Sequence, residues 1–251
     1  MKKSSALLFY IMIRILLSND MTGYELAKII DEKKQPNSTK SEISMTLINL
    51  KKNRDKTKEM LSISKTDGNK MLLFFKTPKR DKGVGFLKIE SGENDKLSLF
   101  IPKLKKIRRI SNSNQSDSFM GSDLSFEDLL SRNINDFDYK LIKTSDDNMY
   151  ILESICKDKT SEYSRHISWI SKDDLLIKKE ESYDQNNKLL KEKLFNYITI
   201  KDYQLISQIE VTNIQDQHKT ILKINILDID QDISDEIFKE INLKRPEKFI
   251  Q

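Results

Sequence analysis

Apolar residues recur along most of this chain at every second position, in short runs broken by Gly-, Asn- and Asp-containing turns, which predicts strands. Ile43, Met45 and Leu47 alternate with Ser44, Thr46 and Ile48, and Leu97, Leu99 and Ile101 alternate with Ser98 and Phe100. The same reading predicts strands over 60–64, 71–76, 86–89 and 106–110, then over 139–143, 149–156, 163–170, 175–183, 189–200, 204–212 and 218–227. Asp67-Gly68-Asn69, Asp146-Asp147-Asn148 and Lys172-Asp173-Asp174 supply turns between them. Helical spacing is confined to short stretches. Tyr24, Leu26, Ala27, Ile29 and Ile30 make one apolar face, capped by Asp20 or Thr22 and ending near Lys33 before Pro36. Ser125 to Asp128 reads as a capping-box start for a short helix over 126–130, and a closing helix over 234–240 precedes a polar tail. About 10–12 short strands and no βαβ rhythm argue a mainly β fold, an antiparallel barrel or curved antiparallel sheet.

Composition narrows the class without naming a function. The 251 residues hold 44 basic against 39 acidic side chains, net +5, a mixed surface rather than the one-sided basicity of a nucleic-acid binder. A single cysteine, Cys156, excludes an internal disulfide and a cysteine metal cluster. Lys2 and Lys3 precede the apolar run 6–17, the layout of a secretory signal peptide, although Arg14 interrupts it and no A-x-A site follows. The expectation is therefore a signal peptide or N-terminal anchor over 1–19 and one domain over 20–251. An amphipathic helix in the same place is the alternative.

Catalytic patterns are weak. Gly83-Val84-Gly85 lacks the third glycine of a dinucleotide loop, and no serine stands in a G-x-S-x-G elbow. His166 and His218, the two histidines, fall on different predicted strands, where a satisfied strand residue is the ordinary reading. No catalytic residue, metal or cofactor is expected. A hydrolase using Asp123 or His166 is the weakest of the readings. Lys103, Lys105, Lys106, Arg108 and Arg109 form a cationic cluster beyond Pro102. It reads either as a solvated strand end whose arginines bridge to Asp123 or Asp128 and pin the following loop, or as a site for anionic headgroups or an acidic partner. Nucleic acid is not expected, because no aromatics are interleaved.

The stretch 81–130 is the densest in Gly, Pro, aromatics and paired charges. Its segments GVGFLKI (83–89), LFIPKLKKIRRIS (99–111) and SFMGSDLSFEDL (118–129), with Thr77-Pro78 leading in, resemble the outer-membrane lipoprotein-sorting protein family, which is similar to the LolA/LolB carriers. The resemblance implies a LolA-like half-open barrel with short helices covering its concave face and acyl chains held in an apolar cavity. It also implies a periplasmic location, an acylated lipoprotein or lipid as partner, an inner-membrane transporter for loading, and no enzymatic step. Met45, Met71, Phe74, Phe86, Phe100, Phe119 and Met120 are candidate cavity walls, with ordinary core as the other reading. Lys105, Arg108, Arg109, Asp123 and Asp128 are candidate loop-pinning or partner-binding residues. The loop 112–121 and the first helix are the expected moving parts, and the protein is expected to be a monomer. The alternative function is a cell-envelope interaction module that binds a membrane protein through the Lys103–Arg109 face.

Overall fold

The computed structural model describes residues 21–66, 68–92 and 95–250. The expected signal or anchor, the cap candidate Asp20 and the turn residue Asp67 lie outside the described residues. Helix α1 (Gly23–Asp31) starts at Thr22, whose hydroxyl accepts from Glu25 N at 3.2 Å while Glu25 Oε2 accepts from Thr22 N at 2.7 Å. This reciprocal pair satisfies two otherwise unpaired donors of the first turn.

Among the described residues, thirteen strands form one antiparallel sheet. The first half holds β1 (Ser38–Asn49), β2 (Arg54–Lys65), β3 (Lys70–Thr77), β4 (Gly85–Ile89), β5 (Lys96–Ile101) and β6 (Lys106–Ile110). The second holds β7 (Phe137–Ile142), β8 (Met149–Cys156), β9 (Tyr163–Ser171), β10 (Ile177–Asp184), β11 (Leu189–Ile200), β12 (Tyr203–Asn213) and β13 (His218–Ile229). The order is β6-β5-β4-β3-β2-β1-β13-β12-β11-β10-β9-β8-β7, so the two halves are joined where β1 pairs with β13. The free edges are β6 and β7, which are consecutive in the chain. The sheet is curved and stays open, so no closed barrel forms. Strand β2 begins at Arg54 rather than Met60, because its polar first half pairs with β1 without burying an apolar face. The predicted short helices are 3₁₀ turns, at Glu127–Leu129 and, near the C-terminus, at Asp235–Phe238, Glu240–Lys244 and Pro246–Lys248.

The curvature can be gauged from the β6–β7 connection, residues 111–136. Phe126 packs against Phe86 on β4, with ring centroids 6.0 Å apart, while Asp128 bonds Lys191 and Lys193 on β11. Strands β4 and β11 are six places apart, roughly 29 Å across a flat sheet. Two residues cannot bridge that distance, so the sheet wraps around the connection, which occupies the concave face.

Two cores line the two faces of β3–β5. The inner one joins Met45, Met60, Leu73, Phe75, Phe86, Leu97 and Leu99 to Phe119, Leu124 and Phe126 of the connection. The outer one joins Leu72, Phe74, Leu87 and Phe100 to Phe238 and Leu243 of the C-terminal turns, with Phe74 stacked on Phe249 at 5.2 Å. The tail read as polar thus carries a fully buried Leu243 and covers the convex face. That double covering is why β3 reads MLLFF without alternation. Contact here is close: a Cβ on Gly85 would lie 2.8 Å from Phe74 Cε1 and 3.0 Å from Leu243 Cδ2. Gly85→Ala is therefore expected to cost about 1–3 kcal/mol in a denaturant titration, by forcing the tail off the sheet. An unchanged midpoint would show that the tail adjusts freely.

Helix α1 lies over β7–β9, where Leu26 and Ala27 pack with Leu152 and Ile170. Of its expected apolar face, Tyr24 and Ile29 remain exposed.

Candidate functional site: the concave face and its strap

The β6–β7 connection behaves as a strap laid inside the sheet. Its centre is a miniature hairpin. Ser118 bridges Ser125, Phe119 N donates to Leu124 O at 2.7 Å, and Ser122 N donates to Phe119 O at 3.0 Å. Met120 and Gly121 hold φ of 53° and 79°, the two left-handed positions of a type I′ turn. Gly121 takes that conformation without strain, whereas Met120 bears a Cβ penalty of about 1–2 kcal/mol. The Met120 carbonyl is held in return: buried Lys58 donates to it at 2.8 Å and pairs with Asp81 at 3.1 Å.

Phe119 is the centre of an aromatic cluster, 5.2 Å from Phe86, 5.7 Å from Phe126 and 6.1 Å from Phe75. Met120, Leu129 and Leu130 extend this apolar contact. The trough between β1 and β6 is therefore filled by the chain itself.

Polar anchors fasten both ends of the filling segment. Asp123 Oδ2 accepts from Thr220 Oγ1 at 2.6 Å and faces His218 Nδ1 at 2.7 Å. Lys88, buried on β4, donates to Leu129 O at 2.8 Å. Glu127 accepts from Ser161 Oγ, and from Glu162 N at 2.9 Å. Asp128, whose side chain is buried, accepts from Lys193 at 2.6 Å, Tyr163 Oη at 2.8 Å, Ser125 N at 2.9 Å and Lys191 at 3.1 Å. Beside it, Arg132 clasps buried Glu180 with two bonds of 2.6 and 2.8 Å, and Lys193 reaches the same carboxylate at 3.4 Å. A cleft of about 540 Å³ opens over this layer between Gln115, Arg132, Asp158 and His166.

Burial alone would raise the Asp128 and Glu180 carboxyls. The attraction of Lys193 and Lys191 for Asp128, and of Arg132 for Glu180, outweighs it and holds both well below the carboxylate range. His166, buried with Nδ1 2.9 Å from Ser182 Oγ, is pushed well below its ordinary value, chiefly by burial and then by Arg132. Such a histidine is neutral in the fold and takes up its proton first in the unfolded chain. Stability is then expected to fall as pH drops below about 6.5, at up to roughly 1.4 kcal/mol per pH unit. The two carboxylates add their loss below about pH 5, where the unfolded chain begins to bind protons. His166→Asn should flatten the interval between about pH 6.5 and 5 and leave the acid limb in place. Urea midpoints measured across that range would check it; a variant with the wild-type slope would remove His166 as the cause.

The expected site residues are distributed unevenly. Met45, Phe86 and Phe119 share the inner core, with Met120 packed against it. Phe74 and Phe100 belong to the outer core on the opposite face. Met71 is half-buried on β3, beside Ser64 and Lys88 in register. Arg108 and Arg109 do not reach Asp123 or Asp128. Arg108 pairs with Asp117 at 3.1 Å, and Arg109 pairs with Glu240 at 3.3 Å across to the C-terminal turns. Lys105 is exposed in the β5–β6 turn, with φ of 50°. The aspartates find their cations on strands far ahead in sequence, which proximity along the chain could not indicate.

The charged layer of Arg132, Glu180, Lys191 and Lys193 is not legible from alternation, which marks β11 as a strand without saying which parity faces inward. Lys191 and Lys193 point inward while Leu194 is 40% exposed. A signal existed in part: Glu180 lies four residues before the turn at 184–188 and Lys193 five after it, and an irregularity between Ser182 and Tyr183 brings them into register. Among the described residues no cluster of three or more His, Cys, Asp or Glu side chains is placed to hold a metal ion.

The fold has close relatives among solved structures. An outer membrane lipoprotein-sorting protein domain from Vibrio parahaemolyticus superposes with a TM-score of 0.82 at 29% identity, over 89% of this chain and 98% of that one. A DUF1329 family protein from Desulfovibrio piger gives a TM-score of 0.80 at 28% identity, over 88% and 97%. A LolA superfamily protein from Nitrosomonas europaea shares the fold, with a TM-score of 0.70 at 19% identity over 89% and 100%. No curated protein matches the sequence. A family model described as "Uncharacterized protein" matches residues 67–245. The chain belongs to that family, and its curved, open antiparallel sheet is the LolA-like fold of the solved structures it resembles.

Proposed function

We propose that the protein is a periplasmic carrier that shields the acyl chains of a lipoprotein or lipid in the concave trough, with residues 20–251 acting as one domain and no covalent step. The observation that carries this reading is the strap. An apolar trough lined by Met45, Leu73, Phe75 and Phe86 is covered by a segment that is no part of the sheet. If the strap swings out, a matching apolar surface is bared, and each buried CH₂ of a guest chain contributes about 0.8 kcal/mol. The 28–29% identical relatives, one of them described by its sorting of lipoproteins, support the same assignment. Loading by an inner-membrane transporter and delivery to the outer membrane belong to the proposal.

The test is mass spectrometry of an organic extract from protein purified out of a membrane-containing host. Stoichiometric lipid or acylated peptide is expected. A clean extract together with no uptake of an apolar dye would overturn the carrier reading.

A second reading is favoured by the same strap taken as permanent core. The protein would then be an envelope interaction module whose exposed Lys103–Arg109 face binds a membrane protein. Crosslinking in intact cells, lost on charge reversal of that face while the extract stays clean, would select it.

A further inference from the structure

We propose that the end of the sheet carrying the β1–β2, β3–β4 and β5–β6 turns docks on the surface of an anionic phospholipid bilayer. In an antiparallel meander these three turns share one end, and the β12–β13 turn joins them because β13 begins opposite the end of β1. Two contacts draw them together. Leu50 N donates to Gln217 O at 3.1 Å, and Gly83 of the β3–β4 turn sits against the rings of Pro102 and Pro246.

The charge at this end is one-sided. The β1–β2 turn exposes Lys51, Lys52, Arg54 and Lys56, the β3–β4 turn Lys79, Arg80 and Lys82, and the β5–β6 turn Lys103, Lys105 and Lys106. The acids on these turns are Asp55, Asp81 and, on the β12–β13 turn, exposed Asp216; Asp81 is already paired with Lys58 and Arg80. The whole chain carries only +5, so the balance lies elsewhere. The opposite end exposes Asp146, Asp147, Asp173, Asp202, Asp228 and Asp230, against Lys143, Lys172 and Lys201 on the same turns. A molecule polarised in this way is oriented by a negative surface before it touches it.

Apolar tips stand among the cations. Leu104, 62% exposed, projects from the β5–β6 turn between Lys103 and Lys105; Leu50 is 47% and Ile214 44% exposed on the neighbouring turns. Aliphatic tips ringed by lysines suit the interface of a bilayer, where the side chain enters the acyl boundary and the ammonium groups stay among the phosphates. Lysines outnumber arginines eight to two in the patch. Flexible point charges fit a diffuse lipid surface better than the bidentate recognition of a particular carboxylate or phosphate. Among the described residues, the exposed large apolar side chains at this end include no aromatic ring for base stacking. A groove of about 420 Å³ runs from Lys52, Arg54 and Arg80 to the strap tip at Met120 and Gly121. Docking would thus set the strap tip against the membrane; this last step rests on the carrier reading, whereas the docking face does not.

Flotation of the full chain with phosphatidylcholine vesicles, with and without phosphatidylglycerol, tests the face directly. Partition should favour the anionic vesicles and weaken with added salt. Each lysine changed to glutamine in the Lys103, Lys105 and Lys106 set should weaken it about fivefold, and the triple variant about a hundredfold. Lys143→Gln, at the opposite end, should leave partition unchanged. Leu104→Ser should lower the binding that survives high salt. All of these side chains are exposed, so a matching thermal midpoint verifies folding. Equal partition to neutral and anionic vesicles would overturn the proposal. So would a triple variant that binds like wild type, or retention on a soluble polyanion without vesicle binding. Lipid in the organic extract is scored separately, so either reading can fail while the other stands.

Discussion

Asp128→Ala is expected to lower the free energy of unfolding by about 3–5 kcal/mol, because it strips a buried carboxylate from Lys191 and Lys193 without giving them water in return. Both lysines are nearly inaccessible, and Tyr163 loses its acceptor in the same change. Partial compensation is built in: Lys191 also meets Glu162 at 2.9 Å, and Lys193 also meets Glu180 at 3.4 Å. The loss therefore belongs at the lower part of that range if those carboxylates move closer. Asp128→Asn keeps the shape but not the charge, and should recover only what the Ser125 backbone bond contributes, about 1 kcal/mol. Replacing Asp128 and Lys193 together with leucine should destabilise less than Asp128→Ala alone, since a buried ion pair is often neutral against an apolar pair. Urea midpoints with unchanged m values would check the series. A loss under 1 kcal/mol for Asp128→Ala would show that water reaches the lysines and that the strap is not fastened there.

The same residues show what could be read from the chain and what could not. Strand limits at Lys106–Ile110, Met149–Cys156 and Leu189–Ile200 follow from alternation, because a strand with one covered face imposes period two on its sequence. Alternation does not say which parity faces inward. On β11 the inward side carries Lys191 and Lys193 and leaves Leu194 exposed, because the opposing strap supplies Asp128 and the opposing strand Glu180. Burial of a charge depends on a partner about 60 residues away, information that local pattern does not contain. The aromatic candidates divide for a similar reason. Phe74 and Phe75 are adjacent and both fully buried, but only Phe75 faces the strap. Telling them apart requires knowing that a tail of polar appearance folds back through Phe238, Leu243 and Phe249 to cover the other side.

Phe126→Ala and Phe119→Ala offer the largest effect on function, and they separate a removable strap from a fixed core. Truncating a core phenylalanine ordinarily costs about 3–5 kcal/mol. Where that cost falls depends on cooperativity. If the strap is a unit that opens by itself, the variants should leave the amides of the paired strands protected from hydrogen exchange. The amides of Phe119 and Phe126, which donate to Leu124 O and Asp117 O, should then exchange rapidly. The bared trough should bind an apolar dye that the wild type excludes. A fatty acid or single-chain lipid should restore stability in proportion to the logarithm of its concentration, about 2.7 kcal/mol at a hundredfold excess over Kd. If instead every amide loses protection together and no ligand restores the midpoint, Phe119 and Phe126 are core in the ordinary sense. The physical difference lies in connectivity. The strap contributes no strand to the sheet and is fastened by Asp123, Asp128 and the carbonyls of Met120 and Leu129, so its release breaks polar anchors and aromatic contacts but no ladder. A guest chain that replaces the aromatic contacts needs only the anchors to yield. The Asp128 series sets the magnitude of that barrier, and the phenylalanine variants show what lies behind it.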